Sequence, residues 1–303
     1  VAYHNTGLLR TPMQIALGLN FFNFCIVSIR VKESLPAHLR APFQIKNANP
    51  IGTVRFLLAK QRRFLVAFAL MSLLDSFSFQ LLISVLQPFT VIAYNFSISE
   101  YSGLMMTFGI SLVLAVTCGM RPLVKRCGEV FTMRLGYVLS CLGLLLFGVT
   151  YYFGHAAPPH DRPGRYLLYE CAIVFACGAI SGPTQSAIAA RCVSSSQIGK
   201  LQAATGSLET IGKIIGPLIV LGTFAPSVAS GHPSSIFFAA ALVLLPGVLI
   251  AMRIHTFIPR RVLERPWLPP SELIPPGRKS RMHECEMRNN SSFGSVDNFD
   301  TKM

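Results

Sequence analysis

Two long apolar stretches of the sequence contain charged residues that could bind a proton or a solute. Asp75 lies about half-way along residues 64–88, and Glu209 and Lys213 lie within residues 203–225. If these stretches cross a bilayer, each charge near the centre costs roughly 2.5 to 3.5 kcal/mol on insertion, so it is kept only where it faces a cavity or a partner. These three residues are therefore the first candidates for a functional site.

Polar residues continue from Asp75 along one side of a predicted helix. At about 100° per residue, an arc of about 140° holds Ser72, Asp75, Ser76, Gln80 and Gln87. One interpretation is a wet face that lines a cavity, on which Asp75 binds and releases a proton. The other is a structural aspartate whose carboxylate accepts hydrogen bonds from neighbouring hydroxyls.

A second polar face is predicted in residues 203–225, extended by the preceding turn. An arc of about 120° holds Gln202, Gly206, Glu209, Thr210, Lys213, Gly216 and Pro217. Glu209 and Lys213 are spaced i,i+4 in the favourable order, which predicts an ion pair within the helix. The alternative is that a substrate or a proton competes for one of the two charges. The small residues Gly206, Gly212 and Gly216, followed by Pro217, would permit close helix contact and a local helix break.

A third candidate is Gln185, within the apolar residues 166–190. Its amide can donate and accept hydrogen bonds toward a solute. Gly178, Ser181 and Gly182 share its side of a predicted helix and favour a helix-packing seam.

The elements that carry these residues are membrane-spanning helices. The 303 residues are 51% hydrophobic and 13% charged, with a mean hydropathy of +0.50, which argues against a soluble globular protein. The fold class is therefore all-α and polytopic. Seven segments are apolar enough to cross a bilayer: residues 13–30, 64–88, 99–120, 130–153, 166–190, 203–225 and 234–254.

Basic residues predict the orientation of these spans. They are densest in the connection after the first span, which places residues 31–63 in the cytoplasm. The later loops and the tail then follow the positive-inside rule. Residues 256–303 are rich in proline and polar residues, which predicts a disordered cytoplasmic tail.

Three segments of the sequence have recognisable patterns. They are residues 199–217, with Gln202, Ser207, Ile215, Gly216 and Pro217, residues 31–36, Val-Lys-Glu-Ser-Leu-Pro, and Asn49-Pro50. In this order they resemble the loop and eleventh helix, the end of the sixth helix and the inter-half loop of the major facilitator superfamily of transporters. The resemblance is nearest the branch of tetracycline efflux pumps and proton-coupled folate carriers.

The resemblance implies that the seven spans are helices six to twelve of a twelve-helix fold whose N-terminal half is missing. Residues 1–30 would then end the N-terminal half, residues 31–63 would link the halves, and residues 64–255 would form the C-terminal six-helix bundle. Arg126 and Gly128 resemble part of a cytoplasmic gating motif, D-R-x-G, although Lys125 stands where the family has an acidic residue.

The function implied by this resemblance is transport of a small organic solute by alternating access between two halves, with protons as the coupling ion. Asp75 is the first proton candidate, and Gln80, Gln185, Glu209 and Lys213 would line the cavity. The partners are then the solute, protons, the lipid bilayer and the missing half, in the same or another chain. The membrane is the plasma membrane or that of a vacuole or other organelle.

Other classes of function are weighed against this one. No nucleophile, metal-binding or nucleotide-binding motif is present in the sequence, so we expect no enzymatic activity, no metal site and no cofactor. The excess of basic residues is explained by topology rather than by nucleic-acid binding. A non-transporting truncated fragment stays open, as does a heptahelical receptor, although the receptor motifs D-R-Y and N-P-x-x-Y are absent from the spans where they would be expected.

Overall fold

A computed structural model of the chain describes residues 6–30, 63–153, 162–193 and 197–256, and all regular structure in these ranges is helical. Most of the predicted inter-half loop 31–63 and of the tail 256–303 lies outside the described residues. The predictions for these two segments therefore remain predictions.

The first helix, α1 (Thr6–Arg30), belongs to a unit of its own. Its residues from Met13 to Arg30 are long and apolar enough to cross a membrane. The described side chains on it are almost all exposed, as expected for a helix whose surroundings are lipid or other helices.

The second unit is a helical bundle. Its elements are α2 (Arg63–Tyr94), α3 (Ile98–Leu114), a π-helical segment (Ala115–Gly119), α4 (Met120–Cys127), α5 (Glu129–Thr150), α6 (Gly164–Gly178), α7 (Ser181–Arg191), α8 (Ile198–Ala229), α9 (Ser235–Met252) and a 3₁₀ turn (Ile254–Thr256).

Together with α1, these elements form seven candidate membrane spans among the described residues. The segment from α3 through α4 forms one span and α6 with α7 forms another, so the predicted number of spans is confirmed. The all-α polytopic fold class is confirmed as well.

The core of the bundle lies between α2, α5 and α9. The helix α2 packs along α8 and α9, α5 packs against α6, α7 and α9, and α3 packs against α6. Phe237 on α9 lies at the centre. The centroid of its ring is 4.7 Å from that of Phe89 on α2 and 5.7 Å from that of Phe147 on α5. These contacts position α2, which carries Asp75 and Gln80, against α5 and α9.

Glycines allow α5 to approach the α6–α7 span closely. A Cβ added to Gly143 would lie 2.7 Å from the Cβ of Phe175, and one added to Gly178 would lie 2.6 Å from the backbone nitrogen of Ser140. No larger side chain fits without a shift of the backbone, so this seam depends on small residues, as is common between membrane helices.

Polar contacts fix the ends of several helices. Glu100 near the start of α3 pairs with Arg165 near the start of α6, and Arg191 at the end of α7 pairs with Glu129 at the start of α5 at 2.7 Å. Arg134 donates to the carbonyls of Ala251 and Met252, at 3.0 and 2.7 Å, and so caps the C-terminus of α9.

Three features of the helices differ from the sequence prediction or extend it. The predicted span 166–190 is interrupted at Ala179 and Ile180 and becomes α6 and α7. The helix α2 continues through Pro88 to Tyr94, six residues beyond the predicted end. The helix α8 continues through Pro217 and Pro226 without the local break that Pro217 permits, because neighbouring groups can compensate for a proline in a membrane helix.

Candidate functional site

The two polar faces predicted on α2 and α8 meet in the structure. A Cβ added to Gly212 of α8 would lie 3.0 Å from the carbonyl oxygen of Leu73 and 3.1 Å from the nitrogen of Phe77. One added to Gly216 would lie 3.0 Å from the Cβ of Gln80. The backbone of α8 therefore rests on α2 on both sides of Asp75, and the absence of side chains at the two glycines permits this approach.

The contact brings two carboxylates together. Asp75 on α2 and Glu209 on α8 lie within range of electrostatic interaction, and both are half-buried. In the described part of the chain, neither carboxylate has an ion-pair partner or accepts a hydrogen bond, although Ser72 and Ser76 share the polar face of α2. The interpretation of Asp75 as a structural residue satisfied by nearby hydroxyls therefore has no contact to support it.

Tyr137 on α5 completes the group. Its side chain is fully buried and lies within electrostatic range of both Asp75 and Glu209. Its hydroxyl donates a hydrogen bond to Oε1 of Gln185 on α7. The sequence analysis did not select Tyr137, because a tyrosine in an apolar span is usually a core residue and its hydroxyl carries no periodic signal.

Gln185 links three helices at this level of the bundle. Besides accepting from Tyr137, its amide nitrogen donates to the carbonyl of Phe68 and to the hydroxyl of Ser72 on α2, both at 2.8 Å. With only 5% of its surface exposed, the side chain holds α2, α5 and α7 together. Its amide groups are occupied by the protein itself, so binding of a solute by Gln185 would require exchange of these bonds.

A cavity of about 20 Å³ lies beside this network, between α2, α7 and α8. Ser72 and Gln185 line one side, and Gln202 and Thr205 of α8 line the other. This volume fits one water molecule among several polar groups. A water there would extend the polar network from Gln185 to α8.

The remaining predicted lining residues are placed differently. Gln80 is half-buried against Gly216 and makes a long 3.4 Å hydrogen bond to Ser84 on its own helix. Lys213 is exposed, and no ion pair joins it to Glu209 in the described ranges. The i,i+4 spacing predicted such a pair, but Glu209 is half-buried within electrostatic range of Asp75, whereas Lys213 is exposed.

The residues predicted for helix packing or gating also differ in their surroundings. Gly212 and Gly216 contact α2, whereas a Cβ at Gly206 would meet nothing within 4 Å. Arg126 is exposed at the end of α4, and Gly128 adopts a φ of +84° in the tight turn to α5, a conformation that favours glycine. Directly after this turn, Glu129 forms an ion pair with Arg191. The sequence analysis did not predict that contact.

Histidine, cysteine and acidic residues do not gather elsewhere in the described part of the chain. No group of three or more of them there has the arrangement of a metal site. The groups present at the α2–α8 contact, two carboxylates and the buried Tyr137–Gln185 hydrogen bond beside them, can exchange protons and form hydrogen bonds.

These features define the class of the protein. It is a multi-pass integral membrane protein with seven membrane-spanning helices among its described residues, and the two helices that carry the predicted polar faces, α2 and α8, pack along each other.

The chain is similar to the tetracycline resistance protein, class C, from Escherichia coli, with 26% identity over 241 residues. The matched region covers 78% of this chain and 56% of the relative, so the chain spans about half the length of that protein. No protein-family model matches the chain, and no solved structure matches it at a significant level.

Proposed function

We propose that the chain is the C-terminal half of a secondary transporter of the major facilitator type, which moves a small organic solute in exchange for or together with protons. The observation that carries this proposal is the close packing of α8 on α2, which places Asp75 and Glu209 within electrostatic range of each other, two carboxylates without a hydrogen-bond or ion-pair partner among the described residues. Its likeness to a tetracycline resistance protein supports the solute class.

The carboxylate pair suits reversible proton binding. Protonation of either carboxylate removes the repulsion of like charges, and loss of that proton restores the repulsion across the α2–α8 contact. The protonation state thus changes the force between two helices rather than the charge of one isolated side chain. In a transporter whose halves rock against each other, such a contact couples proton binding to helix position.

The chain spans about half the length of the similar tetracycline resistance protein, which supports a transporter whose binding site is formed by two helix bundles. Transporters of this type bind the solute near the midplane between two helix bundles. The described bundle α2–α9 supplies one wall, and a second bundle supplies the other. In this proposal α1 ends the second bundle, and the residues between α1 and α2 connect the two.

The test measures coupling without requiring turnover, so it can be done on the 303-residue chain. Tetracycline is added to the detergent-solubilised protein in weak buffer, and the protons released on binding are recorded with a pH dye. We expect proton release from the unmodified chain, and bound tetracycline without proton release from Asp75→Asn and Glu209→Gln.

The matched control is Glu170→Gln, which removes an exposed carboxylate of α6 away from the α2–α8 contact. It should release as many protons as the unmodified chain. Equal proton release from Asp75→Asn and from the control would overturn the assignment of the proton site. Failure of the unmodified chain to bind tetracycline would overturn the proposed solute for this polypeptide.

A further inference from the structure

A groove separate from the carboxylate pair lies beside the π-helical segment. Its volume is about 300 Å³, and it runs between the π segment and α4 on one side and α7 on the other. Val116, Met120 and Val124 form one apolar wall, and Pro183 and Ala187 form the opposite wall. The groove shares no residue with the α2–α8 contact described above.

The π segment changes the orientation of the α4 residues that line the groove. In Ala115–Gly119 the amide of Met120 bonds to the carbonyl of Ala115, so the helix holds one residue more than an α-turn would. The faces of α4 are thereby rotated relative to α3. Thr117, Arg121 and Lys125, which are spaced i,i+4, lie on the same side and all line the groove.

The polar end of the groove is positively charged. Arg121 and Lys125 are both exposed, so their head groups reach water while their stems border the apolar wall. Glu129 also lines the groove, but its carboxylate is paired with Arg191 at 2.7 Å. Together these four residues leave an excess of two positive charges.

The position along the span adds a second constraint. Arg121 and Lys125 lie in the last turns of the span Ile98–Cys127, and the next span begins at Glu129. The charged end of the groove is therefore at the membrane–water boundary, while Val116 lies toward the bilayer interior. A ligand that fills it must be anionic at one end and apolar at the other.

We propose that this groove binds one anionic phospholipid, with its phosphate on Arg121 and Lys125 and the upper part of one acyl chain between α4 and α7. Basic pockets between membrane helices bind acidic headgroups by this combination of charge and apolar contact. The lipid would fasten α4, which has few contacts of its own, to α7 across the groove.

The test is native mass spectrometry of the full chain in detergent with added phosphatidylglycerol or phosphatidylcholine. The unmodified chain should retain one phosphatidylglycerol in preference to phosphatidylcholine. The double variant Arg121→Gln/Lys125→Gln should retain it roughly 25-fold less well, since each of the two cations near an anionic headgroup contributes about a fivefold factor in affinity.

Two controls separate a built site from general attraction. Lys200→Gln/Arg253→Gln removes the same number of exposed charges away from the groove and should retain the lipid. Ala187→Phe should fill the apolar wall and expel the lipid with both cations intact, whereas Ala203→Phe, at an exposed position of α8, should not. Circular dichroism of each variant verifies that it is folded.

Three outcomes would overturn the proposal. Equal loss of lipid binding in the two double charge variants would mean diffuse electrostatic attraction. Unchanged lipid binding in Ala187→Phe would contradict the proposed acyl-chain contact. Displacement of the lipid by inorganic phosphate at equal concentration would identify a simple anion site. None of these measurements depends on transport, so their result is independent of the carboxylate pair.

Discussion

The hydroxyl of Tyr137 on α5 donates a hydrogen bond to the side-chain oxygen of Gln185 on α7, and the amide nitrogen of Gln185 continues the contact to Phe68 and Ser72 on α2. Three helices are joined through one buried side chain at the level of the two carboxylates. This arrangement places the polar network against the apolar core rather than in an open channel.

Replacement of Tyr137 by Phe should destabilise the bundle by about 1 kcal/mol. The variant leaves the buried oxygen of Gln185 without its donor, and hydrogen bonds between membrane helices contribute about this much. Thermal unfolding of the detergent-solubilised chain measures the change. Tyr166→Phe is the matched control, because Tyr166 is 74% exposed and its substitution should alter the free energy of unfolding by less than about 0.5 kcal/mol. Equal stability of the two variants would contradict the network.

Alanine at two glycines of α8 should have opposite effects. Gly212→Ala places a methyl group 3.0 Å from the carbonyl of Leu73, and the backbone of α2 cannot move away, so we expect a loss of about 1 to 3 kcal/mol. Gly222→Ala meets nothing within 4 Å and should stabilise the helix by up to about 1 kcal/mol. Unfolding in detergent compares the two, and a stable Gly212→Ala variant would show that α8 does not rest on α2 as described.

Gly206→Ala offers a further comparison on the same helix. The sequence assigned Gly206, Gly212 and Gly216 to one packing face, yet a Cβ at Gly206 meets no atom within 4 Å. The variant should therefore behave like Gly222→Ala in the isolated chain. Destabilisation comparable with that of Gly212→Ala would place another helix against Gly206.

The ion pair between Glu100 and Arg165 should stabilise the α3–α6 contact more than an exposed pair does. The side chain of Arg165 is 8% exposed and its guanidinium lies 4.8 Å from the centre of the Phe96 ring, whereas Glu100 is 37% exposed. Arg165→Gln should cost about 1 to 3 kcal/mol, with the partly solvated Glu100 keeping the value below that of a fully buried pair.

A double-mutant cycle isolates this interaction. With Glu100→Gln, Arg165→Gln and the combined variant, the coupling free energy in detergent unfolding should exceed about 0.5 kcal/mol. Coupling near zero would assign the effect of Arg165 to its packing on Phe96 instead. Arg253→Gln, which alters an exposed arginine, serves as the control for loss of one positive charge.

The sequence predicted the spans and the polar faces because both depend on local patterns. A run of apolar residues long enough to cross a bilayer, and the period of a helix, place Asp75 and Glu209 on defined sides of α2 and α8. That these sides face each other is a property of the fold, since the two helices are separated in sequence by three intervening spans.

The features that sequence analysis missed have physical reasons. Tyr137 lies in an apolar span and its hydroxyl interrupts no pattern. Glu100 and Arg165 are 65 residues apart on different spans, so no local pattern pairs them. The break between α6 and α7 did leave a signal in Pro183, which occupies the first turn of α7. A proline is tolerated in the first turn of a helix, where its missing N–H removes no helical bond.

The prolines inside α8 have a mechanical consequence. Pro217 has no N–H to donate to the carbonyl of Lys213, and Pro226 has none to donate to that of Gly222. This 32-residue helix therefore lacks a backbone hydrogen bond at two places. Bending stiffness is lowest at such places, and Pro217 directly follows the glycine that touches Gln80. We therefore expect α8 to bend most easily at Pro217, one helical turn beyond Lys213. The segment from Pro217 to Ala229 can then tilt while the segment that carries Glu209 stays packed on α2.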